Sequence, residues 1–144
     1  MVEKDGAEMK LFELTIYGPP RTAKNSQSVI NVGGRRIPMK SKALRTWEKL
    51  ALDQIAAVGA SVGCEKNIDY PVNVAIEVWV DANRRCDLVG YIQAVLDVLV
   101  KAKVLADDSS MNRRIAVSYD GSRVAGVDRT DPRVNIIITK LDNP

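Results

Sequence analysis

Val72-Asn73-Val74-Ala75-Ile76-Glu77-Val78-Trp79-Val80-Asp81 alternates without a break. Val72, Val74, Ile76, Val78 and Val80 share one face, and Asn73, Ala75, Glu77, Trp79 and Asp81 share the other. A period of two predicts a long central strand whose valine face lies under helices. On its C-terminal side, Ala82-Asn83-Arg84-Arg85-Cys86 is a basic connector, and Asp87 opens a helix from Leu88 to about Ala102. That helix is apolar nearly all round, with Leu88, Ile92, Val95, Leu96 and Leu99 on one stripe and Val89, Ala94 and Val98 on another. Such a helix calls for cover on two sides, which predicts the sheet beneath it and a partner subunit against it.

Toward the N-terminus, Gly59 to Tyr70 reads as a loop closed by Pro71, preceded by a helix that Ser41 caps and that runs to about Ala57. Leu44, Trp47, Ala51 and Ile55 make its core stripe, and Lys42, Arg45 and Lys49 make a basic one. Before it, Gly33-Gly34 predicts a hairpin between Ser28–Val32 and Arg35–Pro38. Leu11 to Tyr17 alternates as a first strand, broken by Gly18-Pro19-Pro20, while Met1 to Lys10 reads as a frayed, flexible terminus. Toward the C-terminus, strands are expected at Arg114–Tyr119 and Arg133–Lys140, with an Asp120-Gly121 turn and an edge piece at Val124–Val127. The order βββαβαβ(β) predicts one domain over 1–144, of α/β (α+β) class: a mixed, twisted sheet with two main helices packed on it.

Composition narrows the chemistry. The chain has 21 basic and 18 acidic residues, a net charge of +3, and no histidine. Ser-His and Cys-His nucleophiles and imidazole bases are thereby excluded, which leaves carboxylates, lysines, hydroxyls or an oxygen-bound metal. Cys64 and Cys86 form no CxxC pair, and no basic-then-apolar leader opens the chain. The expectation is a cytoplasmic protein with no zinc site, no disulfide framework and no membrane span.

Gly90, Gln93, Asp97 and Lys101 form a polar stripe on the otherwise apolar second helix. Asp87 stands at its start, and Asp107 and Asp108 follow its end. If the segment after the helix doubles back, four carboxylates converge, and they repel one another unless a divalent cation joins them. Mg²⁺ prefers such hard oxygen ligands. The plainer readings are a helix cap for Asp87, a solvated turn for Asp107 and Asp108, and an i,i+4 pair of Asp97 with Lys101.

The run Arg84-Arg85-Cys86-Asp87-Leu88, then Ala94-Val95-Leu96-Asp97-Val98-Leu99, then Lys101 to Asp108, resembles the RusA family of Holliday junction resolvases. Gly18-Pro19-Pro20-Arg21 and Lys24-Asn25-Ser26, with the basic helix after them, are similar to the family's opening. The resemblance implies a homodimeric, Mg²⁺-dependent endonuclease, with Mn²⁺ a possible substitute, that nicks branched DNA and needs no small-molecule cofactor. It implies Asp87 and Asp108 as metal ligands, with Asp97 and Asp107 beside them as ligand or orienting carboxylate. It implies DNA contacts from Arg21, Lys24, Asn25, Lys42, Arg45, Arg84 and Arg85. With seven Phe, Tyr and Trp in the chain, few of them in loops, recognition of junction shape is expected rather than base stacking. The chain departs from the family pattern at three places: Val89 stands for the second aspartate, Gly90 for the asparagine and Gln93 for the lysine. Two readings follow, a divergent nuclease built from Asp87, Asp97, Asp107 and Asp108, or a relative that binds DNA and does not cut.

Overall fold

The structure is a computed structural model and describes residues 8–22, 27–40, 42–62, 67–82, 88–106 and 117–141. Its elements are β1 (Glu8–Tyr17), β2 (Gln27–Val32), β3 (Arg35–Lys40), α1 (Lys42–Val62), β4 (Val72–Val80), α2 (Leu88–Lys101), β5 (Val117–Ser118), β6 (Arg123–Val127) and β7 (Arg133–Leu141). Both helices and most strands therefore fall where periodicity predicts them.

The main sheet runs β1-β7-β4-β5, with β6 also on β4. The last strand in sequence is thus inserted between the first and the central one, antiparallel to both. On the other side of β4, β5 and β6 pair in parallel with its start and its end, Val72 with Val117 and Val80 with Val127. They are two pieces of one edge strand, interrupted at Tyr119–Ser122. Asn73 holds the interruption in place. Its Oδ1 accepts from Ser118 Oγ at 2.6 Å and from the Asp120 N–H at 2.8 Å, and its Nδ2 donates to the Asp120 carbonyl at 3.0 Å. Ser122 Oγ accepts from the Ile76 N–H at 3.0 Å, standing in for a missing ladder carbonyl.

Several sequence expectations are corrected. Glu8 to Lys10, expected to fray, pair with Leu141 to Thr139, and a bulge between Lys10 and Phe12 resets the register. The expected strand over 114–119 is described as Val117–Ser118, its earlier residues lying outside the described ones. α1 extends to Val62 and runs through Gly59, a residue that weakens a helix by about 1 kcal/mol without breaking it. The β2–β3 hairpin forms a separate two-stranded sheet. Gly33 and Gly34, both at positive φ, make the tight turn that lets Val32 face Arg35, so this pairing is settled locally.

The valine face of β4 is buried as predicted. With Leu14 and Ile16 of β1 and Val134, Ile136 and Ile138 of β7, it forms one core with α1 and α2. Within α2 the second apolar stripe is divided between core and surface. Ala94 and Val98 are buried in this chain's own core, and Val89 alone of that stripe stands exposed, at 64%. Gln54 of α1 ties down the edge strand, donating to the Tyr17 carbonyl and accepting from its N–H at 2.8 Å each. No helix among the described residues is long and apolar enough to cross a membrane.

α2 ends in a Schellman turn. The Val104 N–H bonds the Leu99 carbonyl at 2.9 Å, and the Lys103 N–H bonds the Val100 carbonyl at 3.0 Å. Lys103 occupies the left-handed position, with φ +66°, where a side chain is disfavoured by roughly 1 kcal/mol. Lys103→Gly should therefore raise stability by about 0.5–1 kcal/mol, offset in part by the looser unfolded chain. A urea midpoint that falls instead would show that Lys103 is held by more than its backbone.

Candidate nucleic-acid interface

The segment expected to carry chemistry spans the two ends of α2. Asp87, Asp107 and Asp108 lie outside the described residues, as do Lys24, Asn25, Arg84 and Arg85, so the convergence expected of the four aspartates concerns residues beyond the description. Asp97 is described and stands exposed on α2. It lies nine positions after Leu88, roughly 14 Å along the axis. The chain beyond α2 turns back onto the segment preceding β4, where Ala106 N–H donates to the Ile68 carbonyl at 2.9 Å. Val117 pairs with Val72 close by, so the residues flanking 107–116 on both sides sit at the start of β4. The helix therefore places Asp97 nearer its C-terminal end, the end that Ala106 follows, than its start at Leu88. Among the described residues no three carboxylates or thiols group to hold a metal. Lys101, the expected partner of Asp97, reaches Glu48 of α1 at 3.6 Å.

Two surface features compete for a binding role. The first is the uncovered face of the main sheet, where a shallow depression of about 410 Å³ is bordered by Glu13, Ala75, Glu77, Gly121, Asn135 and Ile137. Glu77 is its hub. It accepts from Asn135 Nδ2 at 2.7 Å, from the Trp79 indole at 3.1 Å and from Arg123, while Asn135 accepts from Thr15 Oγ1 at 2.8 Å. Arg133 lies over the Trp79 ring at 5.0 Å and pairs with Asp128 at 2.9 Å. Glu13 pairs with Lys10 at 2.6 Å. The charges of this face are answered within the face itself, which marks it as a self-contained polar surface of the fold.

The hydrogen bond from Asn135, followed by those from Arg123 and Trp79, holds the Glu77 carboxyl below its usual 4.5. Arg133 and then Thr130 lower Asp128 in the same way. A carboxyl whose folded pKa lies below its unfolded one stabilises the fold above the ordinary carboxylate range, and that contribution is lost as pH falls through the folded value. Glu77→Gln should therefore be less stable than the native chain at neutral pH and lose less on acidification below about pH 4.5. Urea midpoints for the two proteins that fall in parallel from pH 7 to pH 3 would contradict it.

The second feature is a groove of about 400 Å³ between the segment after β1 and the first turns of α1, lined by Pro19, Arg21, Lys42, Ala43, Thr46, Trp47 and Leu50. Arg21, one of the residues expected on DNA, pairs with Asp81 through both terminal nitrogens, at 3.2 and 3.3 Å, and donates to the Pro20 carbonyl at 2.9 Å. It is largely buried and serves as a wall of the groove. Lys42 and Arg45 are exposed at the start of α1, with Lys49 exposed one turn on. No acidic residue occupies the first turn of α1, so its positive end is not offset by a side chain there. The Trp47 indole N–H is buried and has no acceptor among the described residues.

The chain matches no protein-family model, and no curated protein is significantly similar to it.

Sequence reasoning missed Asn73, assigned to an outer polar face and found buried at 9%, and it missed the groove. Asn73 carried a signal, an asparagine inside a run of β-branched residues that disfavour it. The groove carried none, because Pro19 and Trp47 belong to separate segments that meet through tertiary packing alone.

Proposed function

We propose that this chain is a Mg²⁺-dependent, structure-specific endonuclease of RusA type, a cytoplasmic homodimer that nicks Holliday junctions or related branched DNA. The observation that carries the proposal is the spacing of Asp87, Asp97, Asp107 and Asp108 in the sequence, which is that of the family pattern, with Asp97 on α2. The donor chemistry fits the metal: every candidate ligand is a carboxylate, and the chain has no histidine to favour a softer ion. When bound, Mg²⁺, or Mn²⁺ in its place, polarises the scissile phosphate and lowers the pKa of a bound water. The chain's own residues do the rest. Asp87 and Asp108 hold the ion, and Asp97 and Asp107 orient or complete the set. Lys24, Arg84 and Arg85, with Lys42 and Arg45 along α1, bring the phosphodiester backbone to them.

Val89 favours a second reading, binding without cutting. It stands exposed in the first turn of α2 where the family has an aspartate, and Gln93 follows one turn on where the family has a lysine. A synthetic four-way junction separates the two. Nicking that requires Mg²⁺ and drops to background in Asp108→Asn is the expected result. Equal cutting by both proteins sinks the site assignment, and salt-sensitive binding with no cleavage in Mg²⁺ or Mn²⁺ establishes the second reading.

A further inference from the structure

We propose that β6 is a dimer strand, which pairs antiparallel with β6 of a second copy of this chain and joins the two main sheets into one. The proposal rests on the homodimeric reading above for its use, and on the edge of the sheet alone for its geometry.

The main sheet has two edges, and they differ. β1 is a protected edge, bulged between Lys10 and Phe12, charged at Lys10 and Glu13, and bonded by Gln54 at both the N–H and the carbonyl of Tyr17. β6 pairs with β4 on one side, and no described strand lies along its other side. Its ladder shows which peptide groups are left over. The Asp128 N–H donates to the Val80 carbonyl at 2.8 Å, so in the parallel pairing of Val80 with Val127 it is Val80 whose groups point across, and those of Val127 point away. Ile76 also points toward this edge, its N–H meeting Ser122, so Val78 between them does the same and its partner Val124 turns its N–H and C=O outward. In a regular strand, residues three apart turn to opposite sides. The extra residue at Ala125, where the register with β4 shifts between Val78 and Trp79, brings Val124 and Val127 to the same side. It also puts both side chains on the helix-bearing face, beyond the cover of the helices, where they are 41% and 42% exposed.

The strand's own sequence identifies the partner. Arg123-Val124-Ala125-Gly126-Val127-Asp128, laid antiparallel on itself, sets Arg123 against Asp128, Val124 against Val127 and Ala125 against Gly126. Val124 and Val127 then exchange both peptide hydrogen bonds at two places related by a two-fold axis, the closure of a symmetric dimer. Arg123 and Asp128 lie on the other face, where they pair with Glu77 and Arg133 of their own chain, and each gains a second opposite charge from the other copy. A bulge ordinarily spoils an edge for pairing, but a second copy carries the same bulge at the same step. A foreign strand matches the peptide groups alone. The axis stands normal to the sheet, so both copies of α2, which pack on the valine face of β4, fall on one side of the joint sheet. In the nuclease reading, two candidate sites thereby face the two strands cut at one junction.

Sedimentation equilibrium of the full-length chain, without DNA or Mg²⁺, tests the contact. The expected result is a monomer–dimer equilibrium that lies mostly toward dimer at about 100 μM chain. Val124→Lys, which enters an exposed position and puts a charge on the edge, should weaken association at least about tenfold. Tyr17→Lys on the opposite edge, at a position 55% exposed, should leave it unchanged. Mixing Val124→Cys with Val127→Cys under oxidation reads the register and keeps the test intact if the lysine variant misfolds. The two positions face each other in a hydrogen-bonded pair, about 5.5 Å between Cα atoms, which is within disulfide reach. The mixture should therefore cross-link at least about tenfold faster than either variant alone, with the native chain as the blank for Cys64 and Cys86. A native chain that is monomeric at about 100 μM overturns the proposal. So does a dimer that Val124→Lys leaves intact, or cross-linking no faster in the mixture than in the single variants. A dimer that survives Val124→Lys refutes this interface and leaves the homodimeric nuclease reading standing; a β6 dimer that nicks no junction in Mg²⁺ does the opposite.

Discussion

Val89→Asp combined with Gln93→Lys should raise Mg²⁺-dependent nicking of a four-way junction by about a hundredfold, the effect of one well-placed charged group on a developing phosphate charge. The two positions lie one turn apart on α2, and both are exposed, so the substitutions enter solvent-facing sites and create no cavity. In the proposed RusA-type reading, the aspartate supplies the carboxylate that the family pattern has two residues after Asp87, and the lysine supplies that pattern's cation. The first turn of α2 has no acidic residue, so Val89→Asp also favours the helix electrostatically, by about 0.3–1 kcal/mol. A gain in thermal stability with no gain in cutting would mean that the start of α2 takes no part in the reaction. Unchanged junction affinity in that same variant would then assign the chain to binding alone.

Ile76→Ala should cost about 3–4 kcal/mol, the usual loss when a fully buried aliphatic residue leaves a cavity. Ile76 is completely buried at the middle of β4, faces Ile136 across the ladder and sits in the single core that both helices share. For a domain whose total stability is roughly 5–15 kcal/mol, that loss should lower the melting temperature by about 10 °C. Ile137→Ala is the matched control. It lies one residue along β7 from Ile136 but on the uncovered face, 36% exposed, and should cost less than about 1 kcal/mol. Calorimetry of both variants reads the orientation of the sheet directly. A larger loss at Ile137 would place the helices on the other face.

The contrast between those two residues shows where the sequence stops being legible. Val72 to Val80 declare their buried face, because alternation with polar partners leaves one choice. Ile136-Ile137-Ile138 in β7 alternate with nothing, and their orientation is set by the register that pairs Ile136 with both Ile76 and Leu14. The basic face of α1 was legible from the spacing of Lys42, Arg45 and Lys49, yet Arg21, equally basic in sequence, proves to be internally paired with Asp81. Of the four aspartates expected to form a metal site, Asp97 alone lies among the described residues, exposed on α2.

By itself the sequence determined most of the elements and the buried faces of β4 and α1, because strand alternation, helical stripes and paired glycines act over a few residues. It also determined which reactions are chemically open to a chain with no histidine. The tertiary structure decided the insertion of β7 between β1 and β4, the division of the edge strand around Asn73, and the groove where Trp47 meets Pro19. These features depend on contacts between distant segments, whose choice is made by burying one shared core and not by any local preference.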